Sequence, residues 1–126
     1  MIDVASSTLE DIAMRGARYA AWRFVLQRAS AAVLAVCVVV HLVTIIYAVR
    51  HQLTAAAIVA RMHVSVFWPA FYVIFVVAVT VHAPLGLRAI ADEWLGLRGR
   101  GTDAVLALIA LVLLGGGLYA VRSLTT

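Results

Sequence analysis

Two histidines within apolar segments are the residues best suited to chemistry. His41 lies in an uncharged run, and His82 lies in the segment TVHAPLGLR at residues 80–88. An ionisable side chain is costly inside a hydrocarbon core, so a histidine there indicates a functional site. Because a neutral imidazole binds iron well, both residues are candidate metal ligands.

The composition excludes a soluble domain. Of the 126 residues, 65% are hydrophobic and 13% are charged, and the mean hydropathy is +1.05. The ten basic residues are all arginines, which stand mostly at the ends of apolar segments and form no basic stripe. They indicate membrane topology and contacts with headgroups, so we expect a lipid membrane as a partner and no nucleic acid.

Three apolar spans predict an all-α membrane anchor that forms one domain over residues 1–126. The spans are 29–49, 64–87 and 104–121, which contain 21, 24 and 18 residues and no formal charge. About 20 helical residues are needed to cross a ~30 Å hydrocarbon layer. The second span has room to extend to residue 94.

The arginines also predict the orientation. Four of them precede the first span and three follow the second, whereas the loop between these spans has two. By the positive-inside rule, segment 1–28 and the loop after the second span are cytoplasmic. Segment 1–28 has no apolar core of its own, so we expect no cleavable signal peptide. Its Ser7-Thr8-Leu9-Glu10 has the form of a capping box at the start of a short surface helix.

The first span carries its polar residues on one helical face. Every third or fourth position gives a stripe, called here the α1 stripe, of Gln27, Ser30, Leu34, Cys37, His41, Thr44 and Ala48. We expect this face to point into the protein, against a cofactor, a quinone or a partner helix. The alternative is that its small polar residues only bond their own backbone.

The second span places small residues around its histidine. Ala78 and Gly86 lie one turn to either side of His82, which leaves room for a flat macrocycle, and Pro84 is expected to bend the helix there. An equally good interpretation is a packing proline beside a histidine that hydrogen-bonds a neighbouring helix.

Depth in the membrane separates the two histidines. Counted from the arginines at the cytoplasmic boundary, His82 lies ~9 Å and His41 ~20 Å inside, a difference of ~11 Å. They therefore cannot readily bind one haem iron together, and each needs an opposite ligand from another subunit. His51 and His63 lie in or beside the outer loop and are interpreted as ordinary interfacial residues.

The sequence resembles a known family at several of these positions. VLQRASA at 25–31, His41, HAPLGLR at 82–88 and DEW at 92–94 are similar to segments of the membrane-anchor cytochrome b subunits of succinate dehydrogenase and fumarate reductase. The resemblance covers residues 22–122. It implies that the chain belongs to a larger helix bundle with a second membrane-anchor subunit.

The resemblance also implies roles for individual residues. His82 matches an axial haem ligand, and His41 matches the first-helix ligand of two-haem members. The residues implied near the haem propionates and the quinone are Gln27, Arg28, Ser30, Arg88, Asp92 and Trp94. The aspartate that follows the histidine in this family matches either Asp92 or Glu93. Trp94 stands where single-haem anchors often have a quinone-bonding tyrosine. Indole donates a hydrogen bond but cannot accept one.

The implied function is electron transfer in respiratory complex II, which takes part in the tricarboxylic acid cycle. A flavoprotein subunit handles the dicarboxylate, an iron-sulfur subunit relays electrons, and this chain holds one or two haem b groups and part of a quinone site in the bacterial cytoplasmic membrane. Two alternatives stay open: a haem-free structural anchor, and a cytochrome b anchor of another respiratory oxidoreductase. Members of the latter class usually place their histidines on four or more helices.

Overall fold

The computed structural model describes residues 2–125, and these form four helices without a strand. In chain order the helices are α1 (Ile2–Arg50), α2 (Ala55–Val64), α3 (Phe67–Trp94) and α4 (Arg100–Ser123). The helices α1, α3 and α4 are long and apolar enough to cross a membrane. The predicted all-α class with three spans is confirmed, and the chain is a multi-pass membrane protein.

The first helix is longer than the predicted span 29–49. α1 has 49 residues, so it is ~73 Å long and exceeds a ~30 Å hydrocarbon layer more than twofold. Segment 2–28 therefore continues the spanning helix instead of starting a separate one. Ser7 and Thr8 do not cap a helix, since both hydroxyl groups donate to the carbonyl oxygen of Val4 one turn earlier.

A short helix that the sequence did not predict lies between the first two spans. The side chain of Thr54 caps the start of α2 by accepting a hydrogen bond from the amide of Ala57 at 3.2 Å. α2 then buries Met62 and ends at Val64, and α3 begins at Phe67. The expected start of the second span at residue 64 thus falls on the last residue of α2.

The third helix is the centre of the bundle. α3 packs against α1, α4 and α2, and it continues through Pro84 to Trp94. On α1, every residue of the α1 stripe is buried or half-buried, whereas most positions between them are exposed. The predicted inward face of α1 is therefore the face that packs on α3.

Glycine lets α4 approach α3 closely. A Cβ atom built at Gly117 would lie 2.6 Å from a methyl carbon of Val76 on α3. The adjacent Gly115 and Gly116 have no atom within 4 Å of such a Cβ. Of the three consecutive glycines, Gly117 is thus the one that the α3–α4 contact requires.

Replacing Gly117 by alanine should loosen the contact between α3 and α4. The added methyl group would overlap Val76, and overpacking of this kind typically costs ~1–3 kcal/mol. The matched control is Gly116→Ala, which meets open space. Thermal unfolding of the two purified variants should show a lower midpoint for Gly117→Ala alone; equal midpoints would contradict the packing role.

Candidate functional site

A hydrogen bond between α1 and α3 orients His82. The Oγ atom of Ser30 lies 3.3 Å from Nδ1 of His82, and Ser30 is only 7% exposed. The hydroxyl group also donates to the carbonyl oxygen of Gln27 at 3.1 Å, so its proton is already used. Ser30 therefore accepts from the Nδ1–H group of His82, which leaves the Nε2 lone pair available. No described residue contacts that nitrogen by a hydrogen bond.

Gln27 packs one helical turn away from this pair. A Cβ atom built at Gly86 would lie 3.2 Å from Nε2 of Gln27, so the glycine makes room for the amide group. The Oε1 atom of Gln27 is buried and has no hydrogen-bond partner among the described residues. The side chain of Gln27 therefore occupies part of the space beside Gly86 that the sequence offered to a macrocycle.

A second polar pair fixes His41. Its Nδ1 atom lies 3.3 Å from the hydroxyl oxygen of Tyr72 on α3. The rings of Tyr72 and Phe75 both meet the imidazole edge to face, each with a centroid distance of 5.8 Å. The Thr44 hydroxyl donates to the backbone carbonyl of His41 at 2.7 Å and so is used locally. His41 is held by aromatic residues, with Tyr72 as its polar partner.

Two of the contacts between α1 and α3 share one antiparallel register, and the Ser30–His82 contact lies one residue away from it. From Gln27 to His41 is 14 residues, and from Gly86 back to Tyr72 is also 14 residues. Ser30, which marks the level of His82, lies 11 residues before His41, or ~16 Å along α1. This separation is larger than the ~11 Å expected from the arginines, so the two histidines belong to separate levels. Within residues 2–125, no group of three or more metal-ligating side chains is found.

A cavity lies beside His41, at the end of the bundle that contains α2. Its volume is about 440 Å³. Mainly apolar and aromatic residues from α1, α2 and α3 line it, together with His41, Thr44, Arg61 and Tyr72. We call it the α2 cavity. It has the size and apolar lining of a small-molecule site.

An ionic cluster closes the opposite end of the bundle, called here the Arg88 end. The guanidinium group of Arg88 pairs with Asp103 at the start of α4 and lies 3.8 Å from Asp92 on its own helix. The chain therefore supplies its own counter-charges for Arg88. The Nε atom of Arg88 and Oδ1 of Asp92 are buried without a hydrogen-bond partner in the described part of the chain.

Two predicted site residues lie outside these contacts. Trp94 is 83% exposed at the end of α3. Arg28 is exposed on α1, where its Cζ atom lies 5.8 Å from the centre of the Phe24 ring. The structure thus brings together His82, Ser30 and Gln27, pairs Arg88 with Asp92, and leaves Arg28 and Trp94 on the surface.

Sequence reasoning missed Tyr72, Asp103 and Arg61. Tyr72 belongs to an aromatic run on α3, and no local pattern distinguishes it from the neighbouring Phe71 and Phe75. An antiparallel pairing of the two helices through Ser30 and His82 would have pointed to it. Asp103 was not among the predicted site residues and Arg61 was interpreted as a topology signal, because their contacts are made by chain segments that are separated in sequence.

Comparison with protein families gives one match. The model described as succinate dehydrogenase/fumarate reductase transmembrane subunit matches residues 7–118. No curated protein and no solved structure gives a significant match.

Neutralising Asp103 should weaken the hold of α4 on α3. Asp103→Asn removes the charge that Arg88 pairs with, and because both side chains are partly exposed we expect a loss of at most ~1 kcal/mol. Glu93→Gln removes an acidic charge nearby that makes no ion pair in the described structure. Thermal unfolding at low and high salt should show a salt-dependent loss for Asp103→Asn. A matching loss for Glu93→Gln would argue against the pair.

Proposed function

The chain belongs to the succinate dehydrogenase/fumarate reductase transmembrane subunit family, and from this premise we propose that it is a haem b-binding anchor of such a complex. In this proposal it joins the flavoprotein and iron-sulfur subunits to the membrane together with a second anchor subunit. It passes electrons between the iron-sulfur subunit and a membrane quinone. The dicarboxylate site lies on the flavoprotein subunit.

The observation that supports haem binding most directly is the state of His82. Its Nδ1–H group is held by Ser30, whose own proton is committed to Gln27. Histidines that bind metals usually donate their second ring N–H to a fixed acceptor, which sets the tautomer and the ring orientation. The residues therefore fit an axial ligand that uses Nε2, with Ser30 as its outer partner.

His41 is proposed as the axial ligand of a second haem. It lies ~16 Å along α1 from the level of His82, too far to share an iron, and it lines the α2 cavity. The Tyr72 hydroxyl group lies 3.3 Å from its Nδ1 atom, and His41 would bind iron through Nε2 when this hydroxyl group accepts from Nδ1–H. Each level has one histidine of this chain, so the proposal assigns the opposite ligands to the companion subunit.

The haem groups would supply one-electron redox chemistry. Residues of this chain would hold and orient the haems and tune their reduction potential. His41 and His82 would hold the iron through neutral imidazole groups, and Ser30 and Tyr72 would orient the two rings. The apolar residues of α1 and α3 exclude water, which tunes the potential through burial. Arg88 is paired with Asp92 and Asp103, and these two carboxylates offset its positive charge near the proposed propionates.

The quinone is proposed to bind at the Arg88 end. The exposed Trp94 offers an indole N–H donor there, and Arg28 offers a guanidinium group on the surface of α1. Because neither side chain contacts the His82 pair in this chain, the proposed pocket is completed by companion subunits. The excess of arginines near this end supports a cytoplasmic location and a cytoplasmic N-terminus in a bacterial inner membrane.

A haem-free structural anchor is the second candidate. Both histidines already have a hydrogen-bond partner on the neighbouring helix, and this contact alone would justify a polar side chain within the bundle. The two candidates differ in one observable property, the visible absorption of the purified complex.

Removing either histidine should remove one haem. We expect His82→Ala and His41→Ala each to lower the haem-to-flavin ratio from two to one, because each iron loses its ligand from this chain. The controls are His51→Ala and His63→Ala in the α2 region. Pyridine haemochrome assays and reduced-minus-oxidised spectra of the purified complexes measure the ratio. An unchanged ratio in both variants, or a colourless native complex, would favour the haem-free anchor.

Losing the outer partner of His82 should weaken haem retention without abolishing binding. Ser30→Ala removes the acceptor of the Nδ1–H group, and changes of this kind typically cost ~10–100-fold in metal affinity. Ser30→Thr keeps the hydroxyl group and serves as the matched control. The rate of haem transfer to excess apomyoglobin should rise for the alanine variant and stay near the native rate for the threonine variant. Equal rates would show that Ser30 does not support a ligand.

A further inference from the structure

The α2 cavity is lined by an exposed cation, Arg61, that has no carboxylate partner among the described residues. Arg61 lines the cavity from α2, and its Cζ atom lies 5.3 Å from the centre of the Tyr47 ring. It also borders a second hollow of about 370 Å³, so the guanidinium group lies at the rim of the α2 cavity. No carboxylate pairs with Arg61 among the described side chains.

The sequence explains why this charge has no internal partner. The chain has no aspartate or glutamate between Asp11 and Asp92. All acidic residues therefore belong to the N-terminal segment and to the Arg88 end, and α2 with both its connections has none. A carboxylate side chain that meets Arg61 at close range would therefore have to come from another molecule, and the alternative is a bound ligand.

A second nitrogen-bearing side chain of the cavity is His41. Its Nδ1 atom is occupied by Tyr72, and Thr44 donates to its backbone. The remaining nitrogen, Nε2, has no hydrogen-bond partner in the described residues. Between His41 and Arg61 the wall is formed mainly by apolar side chains, among them Met62 and Trp68. The cavity thus presents a nitrogen ligand, an apolar wall and a cation.

Three classes of membrane ligand can be compared with these features. A quinone would use the imidazole and the apolar wall but would leave the guanidinium group without an anion. A phospholipid would contact the guanidinium group and the apolar wall but would leave the Nε2 atom of His41 without a binding partner. A haem uses all three, because it combines an iron, a flat apolar ring and two carboxylates.

We propose that Arg61 is the carboxylate anchor of the haem bound through His41, and that α2 exists to hold this anchor over the cavity. The inference rests on the proposed function, since it presumes a haem at His41. Met62 is buried beside Arg61 and fixes α2 against the bundle, and the Tyr47 ring supports the guanidinium group. A planar guanidinium group matches carboxylate geometry better than an ammonium group does.

The anchor should also tune this haem. A positive charge close to the propionates favours the electron-rich, reduced form, so Arg61 raises the reduction potential of the haem at His41. The haem at His82 lies at the other level of the bundle and should be much less affected. This difference separates a carboxylate anchor from a residue that only packs.

The experiment is a redox titration of the purified four-subunit complex with haem quantified against flavin. His41→Ala identifies the haem concerned by its loss. Arg61→Gln should keep both haems and lower the potential of that haem alone, by about a tenfold change in its reduction equilibrium, or about 59 mV. Arg61→Lys should show a smaller shift. Arg50→Gln removes an exposed charge nearby that does not line the cavity and should change neither potential.

The possible results separate the inference from the function on which it rests. If His41→Ala loses a haem but Arg61→Gln behaves as Arg50→Gln does, the anchor role of Arg61 is wrong and the haem at His41 stands. If His41→Ala keeps both haems, both are wrong. Loss of bound phospholipid from Arg61→Gln with unchanged potentials would assign the cation to a lipid instead. Should Arg61→Gln not assemble, Arg61→Met keeps the apolar stem and tests the same shift; failure of both would mark Arg61 as a packing residue and overturn the inference.

Discussion

The register between α1 and α3 is the constraint on which the rest of the structure depends. Interhelical hydrogen bonds in membranes contribute ~0.6 kcal/mol on average, so the Ser30–His82 and His41–Tyr72 bonds cannot hold the bundle together. Their effect is to select one arrangement. A slip of one residue turns a side chain by ~100° and would leave both imidazole groups facing apolar surface without a partner. The glycines at 86 and 117 then allow the close packing that this arrangement needs.

The two ends of the bundle differ in the partners that the chain provides for their arginines. At the Arg88 end, α3 and α4 meet through an arginine with two carboxylates, so the helix connection is neutralised within the chain. At the α2 end, the counterpart of Arg61 among the described residues is the face of the Tyr47 ring. A cation–π contact at an exposed site contributes ~0.5–1 kcal/mol. Arg88 therefore has carboxylate partners within the chain, whereas the exposed Arg61 has an aromatic one.

Features of the fold that neighbouring residues determine could be predicted from the sequence, whereas contacts between separate helices could not. The three long helices and the inward face of α1 follow from apolar length and a 3.6-residue period, which neighbouring residues determine. The continuation of α1 to Ile2 was missed because a polar segment can still be helical. The separation between His41 and His82 was underestimated because Arg28 and Arg88 were taken to lie at one level. The Arg88–Asp103 pair and the His41–Tyr72 contact depend on how separate helices pack against each other, which a single sequence does not specify.

On the proposed function, the shape of this chain would link haem binding to assembly. Only 6%, 6% and 0% of the most apolar windows of α1, α3 and α4 are buried, so nearly all of their apolar surface needs lipid or another helix to cover it. On the proposed assignment, each iron also lacks one ligand that α4 cannot supply, since α4 contains no histidine. A companion helix that covers the α1–α3 surface is in the right place to bring the missing ligand. Covering the helices and completing the iron coordination then become one event, which makes metal binding part of the free energy of assembly.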